Sequence, residues 1–129
     1  MSHSYLLVMA GGALGALLRL LSYELFKWLN IITFPFATFL INLSGSFFFG
    51  VIAAFIAGSA HELSLKLFFL TGCLGAFTTF SAFSFEVLQL LQQGSWKMAI
   101  FYSLLSVVCC VVGVFLGHAT VKILIPLSS

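Results

Sequence analysis

The sequence has very little charge. Only 6% of its 129 residues are Asp, Glu, Lys or Arg, whereas 62% are hydrophobic and the mean hydropathy is +1.23. A water-soluble domain needs a charged exterior, and this chain lacks the residues to build one. The composition therefore predicts an integral membrane protein with a lipid-facing exterior. The net charge of +2 is also too small to indicate a nucleic-acid partner.

Cysteines are few, and no catalytic grouping can be recognised. Cys73, Cys109 and Cys110 all fall in apolar stretches, and their odd number argues against a disulfide framework. Buried cysteine most often behaves as a small apolar residue. The Ser, His and Cys residues show neither a triad-like pattern nor a metal-ligand spacing. The sequence therefore gives little support to an enzyme.

Four apolar blocks are each long enough to cross a bilayer, which takes about 20 residues in a helix. We predict an all-α fold with one transmembrane domain over residues 1–129. The first block is expected to be a retained helix because Ser2, His3 and Ser4, which precede it, carry no Lys or Arg. The predicted spans cover residues 5–26, 36–57, 65–91 and 98–125.

The few lysines are divided evenly between the two sides of the membrane. Four spans place Lys66 and Lys122 on one side, and Lys27 and Lys97 on the other. Orientation follows the Lys/Arg bias of short loops, and this chain has almost none. Insertion in both orientations is permitted, and with it an antiparallel homodimer.

The third span weakens its own helix in the middle. Gly72 and Gly75 are poor helix formers, and the hydroxyls of Thr78, Thr79 and Ser81 compete for backbone hydrogen bonds. We predict a break near Gly75–Thr79. Irregular backbone at membrane depth is tolerated only inside protein or beside water. Freed carbonyls there would suit a cation, and the N–H groups that start the next half-helix would suit an anion.

Two phenylalanines follow the predicted break. Phe80 and Phe83 lie three residues apart on one helix face, and the positive edges of their rings could contact an anion. Because the chain has 16 Phe, packing or lipid contact is the competing interpretation. Glu86 comes one turn later. It could pair with Arg19, pair with a loop lysine or lie in water.

Polar stripes run along the other spans. Asn42 could bond another helix, the interpretation favoured for this residue alone, or offer its amide to an anion. Arg19 could reach the interface or line a charged vestibule, with about even support. The stripes consist of Thr38, Asn42 and Ser46 in the second span and of Tyr102, Ser106 and Cys110 in the fourth.

Three functions are compatible with these features. The first is an ion channel completed by a second copy of the chain, since two-fold dimers are the commonest oligomers. The second is a small dual-topology multidrug exporter, which depends on a carboxylate deep in its first helix. Here Glu24 is near the end of that helix and the mid-helix charge is Arg19, which favours the channel. The third is a structural subunit without transport activity.

The chain resembles the Fluc (CrcB) family of dual-topology fluoride channels over nearly all its length. The most specific mark is the run Gly75-Ala76-Phe77-Thr78-Thr79-Phe80-Ser81-Ala82-Phe83. The others are Gly11-Gly12-Ala13-Leu14-Gly15-Ala16 with Arg19, and Asn42-Leu43-Ser44-Gly45-Ser46-Phe47 with Gly50. Ala76, Ala82 and Cys110 depart from the usual family pattern, where a glycine and two hydroxyl residues stand.

The resemblance implies passive, selective fluoride export through an antiparallel homodimer in the cell (inner) membrane, which relieves fluoride toxicity. It also implies a structural Na+ at the dimer centre, held by the backbone carbonyls of Gly75 and Thr78. Arg19 would line the vestibule. The implied pore residues are Asn42, Thr79, Phe80, Ser81, Phe83, Tyr102, Ser106 and Cys110.

Overall fold

The computed structural model describes residues 2–30 and 34–124, and these form helices joined by short turns. Helix α1 covers Ser2–Leu29 and α2 covers Phe36–Ile56. The third apolar stretch contains α3 (Glu62–Leu65), a π-helical segment (Lys66–Leu74), α4 (Gly75–Phe77) and α5 (Phe80–Gln92). Helix α6 covers Trp96–Leu124.

Four helical stretches are long and apolar enough to cross a membrane: His3–Leu29, Phe36–Ile56, Glu62–Gln92 and Trp96–Leu124. The expectation of an all-helical protein with four spans, the third interrupted, is confirmed at this level. Most large apolar side chains on the outer helix faces are exposed, for example Leu17 on α1 and Phe115 on α6. Such faces suit lipid rather than water.

Glycines allow the helices to approach closely in two pairs. Helix α1 packs on the π-helical segment, where a Cβ added at Gly15 would overlap the carbonyl oxygen of Cys73. Helix α2 packs on α6, where a Cβ at Gly50 would overlap the carbonyl oxygen of Val114. Small residues at such crossings are typical of membrane helices, because van der Waals contact drives their association.

Two threonines break the third span. Thr78 and Thr79 have extended backbones (ψ 156° and 117°), whereas Gly75 is helical. The Thr78 hydroxyl donates back to the Leu74 carbonyl (2.9 Å), and the Thr79 hydroxyl accepts from the Ala82 N–H (3.2 Å) as the N-cap of α5. The upstream helix thus ends and α5 begins on adjacent residues. The break lies at the end of the predicted stretch, Gly75–Thr79. Gly72, noted above as a poor helix former, packs against α1.

The π-helical segment was not predicted. It covers nine residues directly before the break and carries Gly72, Cys73 and Leu74 as its buried positions. Wide helical turns of this kind often occur at functional sites. Here the segment lies against α1 and leads the chain into α4.

Candidate functional site

A cleft of about 270 Å³ lies beside the break and is lined by parts of α2, α5 and α6. It is open on one side of the single chain. Apolar side chains cover most of its wall, and a few polar groups converge on it, as in ligand-binding clefts generally. Its lining consists of Asn42, Ser46, Thr78, Thr79, Phe80, Phe83, Ser106, Val107, Cys110 and Val111.

Asn42 holds the broken backbone at the cleft. Its Oδ1 accepts from the Thr79 N–H (2.8 Å), and its Nδ2 donates to the Thr79 carbonyl (3.0 Å). In an unbroken helix the Thr79 N–H would bond the Gly75 carbonyl, so the Asn42 side chain takes over that role. The favoured interpretation of Asn42, an interhelical hydrogen bond, matches this contact. An amide group has two N–H donors, and these contacts use one of them.

Ser106 is buried in the cleft wall without a hydrogen-bond partner. It is 5% exposed, and within the described residues its Oγ is the one buried side-chain polar atom that lacks a partner. Ser103, one turn earlier on α6, instead donates to the Ala99 carbonyl of its own helix (2.7 Å). A buried hydroxyl with no partner is costly, so it marks a place where a ligand or water can bind.

The two phenylalanines occupy different environments. Phe83 is 8% exposed, and its ring packs on those of Phe80 and Tyr102, each with a centroid separation of 5.3 Å. Phe80 is 75% exposed at the rim of the cleft. The pair therefore presents aromatic surface from inside the cleft out to the open face of the chain.

Glu86 binds neither Arg19 nor a lysine. It accepts from the Thr38 hydroxyl at Oε1 (2.5 Å) and from the Tyr102 hydroxyl at Oε2 (2.7 Å). Within the described part of the chain the one ion pair joins Glu62 and Lys66. The sequence placed Thr38 on the stripe of α2, but nothing there indicated that it would meet Glu86, 48 residues further along.

The structure brings most of the predicted pore residues to one wall. Tyr102 and Ser81 lie beside the cleft: the Tyr102 ring packs on Phe83, and the Ser81 hydroxyl is 3.1 Å from that of Thr79. Gly75 and Arg19 are outside the cleft. The predicted pore residues that line the cleft wall are Asn42, Thr79, Phe80, Phe83, Ser106 and Cys110.

Four apolar spans, with a cleft between three of them that contains polar groups, are the features of a multi-pass membrane protein. A family model described as CrcB-like protein, Camphor Resistance (CrcB), matches residues 6–118. The chain belongs to this family.

Named relatives agree with that membership. The chain is 46% identical to fluoride-specific ion channel FluC 2 of Nitrobacter hamburgensis, over 92% of this chain and 97% of the relative. It is 45% identical to fluoride-specific ion channel FluC of Magnetococcus marinus, over 85% and 90% of the two chains. It is also 46% identical to fluoride-specific ion channel FluC of Shewanella frigidimarina, over 88% and 91%. These relatives are channels rather than enzymes.

Proposed function

We propose that this protein is a fluoride-specific ion channel that lets the anion cross the membrane passively, down its electrochemical gradient. The family and the names of its relatives supply the substrate. The observation in the structure that carries the proposal is the Ser106 hydroxyl, buried and unpartnered in the cleft wall.

The cleft offers donors, and none of the described residues on its wall is charged. Within the described residues the Ser106 O–H lies near Tyr102 but makes no well-formed hydrogen bond, and Asn42 keeps a second amide N–H. The N-terminus of α5 adds the positive dipole end of a 13-residue helix and the first backbone N–H groups, those of Phe80 and Ser81, which precede the capped Ala82 N–H. The edges of Phe80 and Phe83 complete the set. Together these groups replace the hydration shell of a small anion without binding it too tightly to release it.

A second copy of the chain would close the cleft. One chain leaves it open, with Phe80 at the exposed rim. An antiparallel homodimer, consistent with the even distribution of lysines, would supply the missing wall and give two equivalent paths. The proposed place of this dimer is the cell (inner) membrane, where fluoride export relieves toxicity.

The remaining pore residues keep their proposed roles. Ser81 and Tyr102 would join the path through their contacts with Thr79 and Phe83. Cys110 would continue the track beyond Ser106, with a thiol where the family usually has a hydroxyl. Arg19, half-buried on α1, would concentrate anions in the vestibule.

The break also suits a structural Na+. The Thr79 N–H donates to Asn42, so the Gly75 carbonyl lacks its ordinary helical partner. Carbonyls at unwound helices are typical Na+ ligands in membrane proteins. We propose that Gly75 and Thr78 hold the ion through these oxygens. Within the described residues no group of three His, Cys, Asp or Glu could hold a metal ion.

The function is tested by fluoride efflux from liposomes, followed with a fluoride electrode. We expect wild-type protein to release fluoride and Ser106→Ala to slow release by roughly 10- to 150-fold, since one lost donor to an ion is worth about 1.5–3 kcal/mol. Ser103→Ala is the matched control, because its hydroxyl bonds its own helix. Equal rates for the two variants would exclude Ser106 from the path, and a wild-type protein without efflux would refute the function.

A further inference from the structure

One hydrogen-bonded chain of side chains joins all four spans. The Tyr23 hydroxyl on α1 lies 2.7 Å from the Thr38 hydroxyl on α2. Thr38 in turn donates to Glu86 on α5 (2.5 Å), and Tyr102 on α6 donates to the other carboxylate oxygen (2.7 Å). Neither the sequence patterns nor the proposed pore accounts for Tyr23.

The direction of the first bond follows from proton counting. A threonine hydroxyl has a single hydrogen, and the one on Thr38 points to Glu86. Tyr23 must therefore donate to the Thr38 oxygen. Thr38 is 0% exposed, so water cannot take the place of that donor. Tyr23 also lines an open cleft at the end of α1, with Glu24, Lys27 and Asn30.

Glu86 depends on these hydroxyls. Its carboxylate lies half-buried inside a predicted span and has no ion-pair partner within residues 2–30 and 34–124. Hydrogen bonds to a charged acceptor are about twice as strong as neutral ones, and chained hydroxyls polarise one another. The same carboxylate fixes the Tyr102 hydroxyl, and the Tyr102 ring packs on Phe83 in the cleft wall. The chain of bonds that starts at Tyr23 thus ends at the proposed pore.

We propose that Tyr23 is a positioning residue for this pore. By donating to the Thr38 oxygen, Tyr23 keeps the Thr38 hydroxyl donating to Glu86. The Glu86 carboxylate is thereby held in the position in which it also accepts from Tyr102. Without the Tyr23 hydroxyl, the buried Thr38 oxygen loses its donor and its proton is free to turn away from Glu86. This inference rests on the proposed channel function for its flux readout.

Tyr23→Phe tests the proposal, with Tyr5→Phe as control because Tyr5 lies on the same helix and is 63% exposed. We expect Tyr23→Phe to slow fluoride efflux by about fivefold, the effect of one hydrogen bond of about 1 kcal/mol. Tyr5→Phe should leave efflux unchanged. Equal efflux for Tyr23→Phe and wild type would overturn the proposal.

A double variant separates positioning from simple packing. If Tyr23 acts through Thr38, Tyr23→Phe should have no further effect in a Thr38→Val background, whereas Thr38→Ser should keep the wild-type response. A full additional loss in the Thr38→Val background would overturn the proposal, because Tyr23 would then act by another route.

Infrared spectroscopy gives a readout that is independent of flux. The carboxylate band of Glu86, identified by its loss in Glu86→Gln, should shift in Tyr23→Phe and stay in place in Tyr5→Phe. An unmoved band in Tyr23→Phe would refute the coupling even if Thr38→Val does not fold. If wild-type protein carried no fluoride, the channel function would fail, and the band would still decide on Tyr23.

Discussion

Replacing Asn42 with alanine removes the side chain that holds the broken third span. Both the N–H and the carbonyl of Thr79 bond to this amide, and its removal affects the two groups differently. The Thr79 carbonyl belongs to an N-cap residue and keeps the first helical bond of α5. Among the described residues the Thr79 N–H has no other acceptor, and Thr79 is 7% exposed.

The expected loss of stability can be worked out from these two bonds. A buried N–H without a partner costs about 1–3 kcal/mol. The bond from the amide to the carbonyl adds about 0.6 kcal/mol, the average for interhelical hydrogen bonds in membranes. We therefore expect Asn42→Ala to lower the free energy of unfolding by about 2–4 kcal/mol.

Unfolding in detergent micelles, followed by circular dichroism, measures this quantity. Gln93→Ala is the control: it removes an exposed amide at the end of α5 and should change stability by less than about 0.5 kcal/mol. If Asn42→Ala were no more destabilising than Gln93→Ala, the break would be held by something other than Asn42, and our reasoning about it would be wrong.

Two further predictions concern packing and the path. Gly15→Ala should destabilise the protein by about 1–3 kcal/mol in the same unfolding assay, because the new methyl group would overlap the Cys73 carbonyl, whereas a methyl at Gly12 meets nothing within 4 Å. Equal stability of the Gly15→Ala and Gly12→Ala variants would contradict the close helix packing. Phe83→Ile should abolish fluoride efflux without changing the elution volume of the protein, and Phe85→Ile, at an exposed position, should leave efflux as it was. Unchanged efflux in Phe83→Ile would remove that ring from the path.

The spans and the break could be predicted from the sequence because both are local properties. Apolar length alone indicates the four spans. The glycines and threonines indicate where the helix of the third span is weak. Residue type alone does not tell which of them serve helix packing and which end a helix. Gly72 serves close packing against α1, while Thr78 and Thr79 end one helix and cap the next.

The contacts that build the site could not be predicted because they join distant parts of the chain. Asn42 meets Thr79 across 37 residues, and Thr38 meets Glu86 across 48. A polar stripe shows that a side chain needs a partner, and only the packing of the helices decides which partner it finds. For Glu86 the sequence left a cation or water as the partner, whereas the fold provides two hydroxyls.

Selective conduction of fluoride through the cleft is what we propose for this protein. The most direct test is to load liposomes that contain the wild-type protein with equal concentrations of fluoride and chloride, and to follow both ions with selective electrodes after a potassium ionophore is added. We expect rapid fluoride efflux and no chloride efflux above that of protein-free liposomes. Equal efflux of the two anions, or none of fluoride, would contradict it.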